Sequence, residues 1–120
     1  MIRGVKFASI PVKDQDKAIA FYTEKLGFRI VTDQPFNEHQ RWIELGIPGA
    51  ETRLVLFKFD NSLQPGTQMN ISYWTDDVET TVRDLKSKGV KITMEPKTQD
   101  WGTAAAFQDV DGNTFIVGTK

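Results

Sequence analysis

The chain has 120 residues, no cysteine and a formal net charge of −1 at pH 7. This length predicts one compact domain with a core that needs no cross-links, and the lack of cysteine excludes disulfides and thiolate metal sites. The near-neutral charge gives no electrostatic basis for binding nucleic acid, and the N-terminal segment lacks the apolar run of a signal peptide. No apolar stretch is long enough to cross a bilayer. We therefore expect a cytoplasmic protein with neither nucleic-acid nor membrane partners.

A capped helix organises the first half of the chain. Asp14 stands where an N-cap belongs, and Gly27 stands where a helix often ends in a left-handed turn. Between them an apolar stripe recurs at helical spacing, formed by Ala18, Ile19, Tyr22 and Leu26. Alternation and turn residues then predict the remaining elements: strand 5–11, helix 15–26, strand 28–32, a polar loop 33–40, and strands 41–45 and 52–59.

The second half repeats this plan. Asp77 takes the place of Asp14, Gly89 takes the place of Gly27, and Asp111-Gly112 is a strong hairpin signal. The predicted elements are strand 69–74, helix 78–88, and strands 90–94, 102–107 and 114–118. We therefore predict an α+β fold made of two βαβββ modules, at about 1–60 and 68–120, joined by a linker at 60–67 that is rich in turn formers.

Two such sheets, each covered on one face by its helix, are expected to curl into a cup with the helices outside. Because successive side chains of a strand point to opposite faces, alternation sorts which residues line the cup. The strand residues expected there are Phe7, Ser9, Trp42, Glu44, Arg53, Val55, Phe57, Asn70, Ser72 and Trp74. Thr103 is expected to add a further polar group.

Three segments, 11–28, 70–89 and 101–113, resemble the vicinal oxygen chelate superfamily, which includes glyoxalases, bleomycin-resistance proteins and extradiol dioxygenases. They read PVKDQDKAIAFYTEKLGF, NISYWTDDVETTVRDLKSKG and WGTAAAFQDVDGN. With the duplicated βαβββ unit, the resemblance covers nearly the whole chain. It implies the glyoxalase/bleomycin-resistance fold and favours a homodimer.

Enzymes of that superfamily hold a divalent metal with His and Glu side chains at four cup positions. The resemblance places those positions at Phe7, about Val55, Asn70 and Ile116. Phenylalanine, valine and isoleucine have no donor atom, and a neutral asparagine is a poor sole ligand for zinc, nickel or iron. We therefore expect neither the usual metal nor another cofactor.

Two other residues are candidates for chemistry. Glu44, if desolvated in the cup, would have a raised pKa and could act as an acid or base, unless it pairs with Arg41 or Arg53. His39, the only histidine, could hydrogen-bond a ligand or move a proton at the rim, although an exposed loop residue is the simpler interpretation. Trp42 and Trp101 could form flat walls for a planar ligand.

The primary hypothesis is a metal-free small-molecule binding protein that holds an organic ligand in this aromatic-lined cup. One alternative is a glyoxalase- or dioxygenase-like enzyme that uses relocated metal ligands, or Glu44 or His39 as acid or base. Another alternative is a dimeric structural module whose cup is filled by its own side chains. Trp74 is expected to be ordinary core or interface packing.

Overall fold

A computed structural model describes residues 1–58, 64–66 and 71–120 of the chain. The chain divides into two compact units, Met1–Pro65 and Gly66–Lys120. Within the described residues each unit forms one four-stranded mixed sheet and contributes one α-helix. The predicted α+β class and the predicted βαβββ order of each half are confirmed. Much of the predicted linker 60–67 lies outside the described residues.

The helix of the first unit changes from α-helical to π-helical geometry in its second part. Its elements are β1 (Phe7–Pro11), α1 (Gln15–Ala20), a π-helical turn (Phe21–Lys25), β2 (Arg29–Pro35), β3 (Arg41–Gly46) and β4 (Arg53–Phe57). Asp14 accepts a hydrogen bond from the backbone N–H of Lys17 at 3.1 Å, and Gly27 has a φ of 75°, as the capping pattern predicts. The predicted single helix 15–26 is therefore present, but only its first part is α-helical.

The strand order in the first sheet is β1-β4-β3-β2, with β1 parallel to β4 and the other pairs antiparallel. Strand β2 extends to Pro35, so the predicted loop 33–40 is wrong for its first three residues. Asp33 pairs with Ile43 in the ladder, and its carboxylate accepts a 2.9 Å hydrogen bond from Arg41 Nε. The pairing with Ile43 and the hydrogen bond from Arg41 keep Asp33 in the sheet, although the polar sequence around it is typical of a loop.

One face of this sheet packs under α1 and forms the core of the unit. Ala18 and Tyr22 are fully buried on the helix. Most of the strand residues predicted to face the helix are buried, namely Ile10, Ile43, Leu45, Leu54 and Leu56. Because the side-chain period of a strand is two, the intervening residues of β1, β3 and β4 project from the opposite face.

The second unit repeats the arrangement. Its elements are β5 (Ser72–Trp74), α2 (Val78–Ser87), β6 (Lys91–Gln99), β7 (Gly102–Gln108) and β8 (Thr114–Gly118), and the strand order is β5-β8-β7-β6. Asp77 caps α2 by accepting from the Thr80 N–H at 3.0 Å, and Gly89 has a φ of 79°. Strand β6 is longer than the predicted 90–94, because register shifts let it stay paired with β7. Residues 69 and 70 of the predicted fifth strand lie outside the described residues.

The β7–β8 hairpin closes on a buried asparagine. Asn113 donates its side-chain N–H to Asp109 Oδ2 at 2.9 Å, and its Oδ1 accepts from the Gly66 N–H at 2.9 Å. Asp109 Oδ1 also accepts from the backbone N–H groups of Asp111 and Asn113, and Gly112 takes a φ of 84°.

Across the described residues, neither α-helix has the length and apolar content that crossing a bilayer requires.

Candidate functional site

Four aromatic rings meet at the face of the first sheet that is opposite α1. Phe7, Trp42 and Phe57 come from β1, β3 and β4, and Phe36 comes from the β2–β3 loop; we call these four residues the aromatic cluster. Ring centroids are 5.5 Å apart for Phe7 and Trp42, 5.6 Å for Trp42 and Phe57, and 5.3 Å for Phe36 and Phe57. These are distances at which aromatic pairs attract in edge-to-face geometry.

The cluster covers the middle of the sheet. Phe7 and Trp42 lie on strands that are separated by β4, and two strands flanking a third are roughly 10 Å apart. Their rings must therefore lean towards each other across β4 to reach 5.5 Å. Val55, on β4 and on the same face, has an exposed fraction of 0%. The rim of the cluster is different, because Phe36 is 55% exposed although it touches two other rings.

A carboxylate joins the cluster to an arginine. The Trp42 indole Nε1 donates to Glu44 Oε2 at 2.8 Å, and Arg53 donates to Glu44 Oε1 at 3.1 Å. The hydrogen bond from Trp42 and then the bond and charge of Arg53 lower the pKa of Glu44, and they outweigh the opposing effect of burial. The expectation of a raised pKa is therefore wrong. Glu44 is an ionised anchor for Trp42 and Arg53, which does not favour it as a general acid or base near neutral pH.

The strand register brings together the candidates of the first half. Val55 pairs with Ser9 on one side and with Glu44 on the other, so these three side chains share the face of the aromatic cluster. Phe7 and Trp42 share this face as well, because their rings are in contact. The expectation that these five residues lie on the sheet face opposite the helix agrees with the register.

The candidates of the second half are more scattered. Ser72 pairs with Ile116, so both lie on the face of the second sheet opposite α2. Trp101 is 66% exposed where β6 turns into β7. Thr103 alternates with Ala104, which pairs with Gly118 on the Ser72 face, so the expectation that Thr103 shares that face is wrong. Asn70 lies outside the described residues.

The remaining tryptophan is also exposed. Trp74 lies at the end of β5 with about half of its surface accessible, and the Lys120 ammonium is 4.5 Å from its ring centroid. Of the two expectations for Trp74, packing in the core of its own unit is therefore wrong, and packing at an interface stays a prediction. Its neighbour Lys120 forms a cation–π contact instead.

His39 lies in a polar groove of about 390 Å³ between the start of α1 and the β2–β3 loop. Its backbone N–H donates to Asn37 Oδ1 at 2.8 Å, and its carbonyl accepts from Lys58 Nζ at 3.3 Å. The groove lining includes Lys13, Asp16, Glu38 and Arg41 but no member of the aromatic cluster. His39 and Glu44 therefore do not form a common site.

The superfamily metal positions do not fit a metal in this chain. Phe7 belongs to the aromatic cluster, Val55 lies under it, and Ile116 pairs with Ser72 in the second sheet, so the three described positions offer no donor atom. Among the described residues, no three His, Asp or Glu side chains come together in a way that could hold an ion.

Comparison with known proteins agrees with this architecture. The profile of the Glyoxalase/Bleomycin resistance protein/Dioxygenase superfamily matches residues 4–117. The chain belongs to this superfamily. Among curated relatives, the uncharacterized Bacillus subtilis protein YetH is 36% identical over 120 residues, which cover 98% of each chain.

Solved structures of superfamily proteins share the fold closely. The structure of TnmS3, described as an antibiotic binding protein from Streptomyces sp. CB03234, is 38% identical with a TM-score of 0.90, covering 98% of this chain and 96% of that one. A superfamily member from Sphaerobacter thermophilus is 33% identical with a TM-score of 0.92, covering 99% and 98%. The expected glyoxalase/bleomycin-resistance fold is confirmed.

Sequence reasoning placed Arg53 and Phe57 on this face without choosing them as ligand-binding residues, and it did not select Phe36. Phe57 and Arg53 were recognisable by alternation with Val55 on β4. Phe36 gave no such signal, because it follows Pro35 in a polar segment. A backbone hydrogen bond from Phe36 N–H to the Gln40 carbonyl, 3.1 Å long, closes the loop at Phe36.

Proposed function

We propose that this protein binds a small organic molecule with a planar aromatic part, and that the aromatic cluster supplies the binding surface without a metal ion. The main support is the exposure of Phe36. Large aromatic side chains favour burial, so a half-exposed ring that touches two others offers apolar area to an incoming planar group.

The rest of the face suits such a ligand. The edge-to-face rings of Phe7 and Trp42 close the floor over Val55, and Ser9 and Glu44 add polar atoms beside it. Similarity to TnmS3, a protein described as antibiotic binding, supports an organic ligand of this kind. Ser72, Trp101 and Ile116, in the second unit, stay predictions as ligand-binding residues.

The metal-free part of the proposal is supported by the side chains at the superfamily metal positions. Phe7, Val55 and Ile116 offer carbon atoms only, and a divalent ion needs oxygen, nitrogen or sulfur donors. The proposal includes a homodimer, since each four-stranded sheet has edge strands that a second copy could cover.

Binding is best tested by titrating a library of planar aromatic compounds and measuring affinity by calorimetry. We expect Phe36→Ala to weaken every hit by about tenfold, the loss of a well-buried ring contact worth roughly 1.5 kcal/mol. The matched control is Trp74→Phe, which alters an exposed aromatic residue that contributes no ring to the cluster. Hits that are unchanged by Phe36→Ala and by Trp42→Phe would place the binding site elsewhere and refute the proposal.

A further inference from the structure

The sheet face that carries the aromatic cluster also has more positively than negatively charged side chains. Arg53 and Arg29 both pair with Gly46 in the ladder, one from each side, so their side chains project from this same face. Glu44 is the one acidic residue that the register places on this face of β1 to β4. Lys6, just before β1, is close enough for its charge to act on Glu44. The described strands therefore leave an excess of positive charge beside the rings.

Arg53 is the cation best placed to meet a ligand. It pairs with Phe7 across β1 and β4, so it lies at the edge of the aromatic cluster. Its side chain is 46% exposed, whereas that of Glu44 is only 12% exposed. Among the described residues, Glu44 is the one side-chain partner found for Arg53, and it takes a single N–H of the five that a guanidinium carries.

Glu44 orients Arg53, and its own carboxylate oxygens are already engaged in hydrogen bonds. Each of its oxygens accepts one hydrogen bond, from Trp42 and from Arg53. A ligand that approaches over the rings therefore meets the oriented N–H donors of the Arg53 guanidinium. It does not meet a carboxylate whose oxygens still lack hydrogen bonds. A planar guanidinium held in this way suits a carboxylate or a similar oxyanion, which it can bind through two parallel hydrogen bonds.

We infer that the ligand is an aromatic acid, with its rings on the aromatic cluster and its anionic group on Arg53. This inference rests on the proposed function and adds the chemical class of the ligand. It assigns a specificity-determining role to Arg53 and an orienting role to Glu44. It also predicts discrimination against polycationic compounds, which the excess positive charge would repel.

Two probes that differ in charge alone separate this inference from the proposed function. We would measure the affinities of 2-naphthoate and 2-naphthamide by calorimetry at low salt. We expect the carboxylate to bind at least about tenfold more tightly, as for one hydrogen bond between charged groups. Added salt should weaken 2-naphthoate binding and leave 2-naphthamide binding nearly unchanged.

The variant Arg53→Gln should remove the preference by lowering 2-naphthoate affinity to that of the amide, and Arg53→Lys should restore part of it. The matched control is Lys17→Gln, which removes one positive charge from an exposed position of α1 on the other side of the sheet. Three results would each overturn the inference. The wild type could bind the two probes equally, Arg53→Gln could lose affinity for both probes in parallel, or neither probe could bind. Equal binding that Phe36→Ala abolishes would overturn the inference while supporting the proposed function.

Discussion

The Trp42 indole N–H and the Glu44 carboxylate, two residues apart on β3, are joined by a 2.8 Å hydrogen bond. Residues at i and i+2 project from the same face of a strand, so the bond runs along that face rather than through the sheet. It fixes the indole plane beside Phe7 and Phe57, and the second oxygen of Glu44 holds Arg53 at 3.1 Å. One carboxylate thus positions both the largest ring and the nearest cation of the proposed site.

Replacing Glu44 with glutamine should lower the free energy of unfolding at pH 7 by about 1 kcal/mol, since the partly exposed ion pair with Arg53 is lost. The pKa of Glu44 is lowered in the folded protein, so its contribution is present above the ordinary glutamate pKa of about 4.3 and disappears as the pH falls through the folded value. Urea unfolding of wild type and Glu44→Gln at pH 7 and pH 3 measures both effects. A difference of equal size at both pH values would contradict this account.

Gln15 should be the most sensitive polar residue of the first unit. Its side chain is buried, its Nε2 donates to the carbonyls of Arg41 (2.8 Å) and Leu56 (3.0 Å), and its Oε1 accepts from the Arg41 N–H at 3.0 Å. Gln15→Ala leaves these backbone groups without their partner. We expect a loss of about 2–4 kcal/mol in urea unfolding, whereas exposed Lys17→Ala should change stability by less than about 0.5 kcal/mol.

The same substitution tests how stability relates to the site. Gln15 holds the start of α1 against the residue that precedes Trp42 and the residue that precedes Phe57. At temperatures where Gln15→Ala stays folded, its ligand affinity should fall, because the two rings lose a fixed backbone. Unchanged affinity in the folded variant would show that the cluster is positioned without Gln15.

Asn113 should matter as much in the second unit. It is fully buried and joins Asp109 to the Gly66 N–H. Asn113→Ala removes both of these buried hydrogen bonds and should cost about 2–3 kcal/mol of unfolding free energy. Gly112→Ala is a useful comparison, since a φ of 84° is strained for alanine although the nearest atom to an added Cβ is 3.8 Å away. For Gly112→Ala we expect a loss of about 1 kcal/mol of unfolding free energy. A larger loss than for Asn113→Ala would contradict the assignment of the main stabilising role to Asn113.

Removing metal should leave ligand binding intact. After treatment with a chelator and dialysis, we expect calorimetric affinity for the best planar compound within about twofold of the untreated protein, a difference of roughly 0.4 kcal/mol. Elemental analysis of the untreated protein provides the control. One divalent ion per chain, together with binding that is lost on chelation and restored by that ion, would refute the metal-free proposal.

Much of the fold was predictable because it follows from local signals. Asp14 and Asp77 cap their helices, Gly27 and Gly89 take the left-handed conformation, and alternation sorted the two faces of the first sheet. The same reasoning placed Phe7, Trp42 and Glu44 on one face. Each of these signals lies within a few residues of the feature that it specifies.

The site details were less predictable because they depend on contacts between distant segments. The pKa of Glu44 is lowered by the hydrogen bond from Trp42 and then by Arg53 on the neighbouring strand, whereas burial alone would have moved the pKa in the other direction. Phe36 joins the cluster through the path of a loop. Thr103 was misplaced because the face to which it points depends on the register with β8 rather than on its own polarity.

The most direct test of the central claim uses a chain whose one tryptophan is Trp42, made by Trp74→Phe and Trp101→Phe. If a planar ligand rests on the aromatic cluster, titrating it should quench or shift the Trp42 emission with the same midpoint as calorimetry. The complementary chain, with Trp42→Phe alone, should show a much smaller change. A ligand-dependent signal confined to the complementary chain, with Trp42 silent at saturation, would contradict the account.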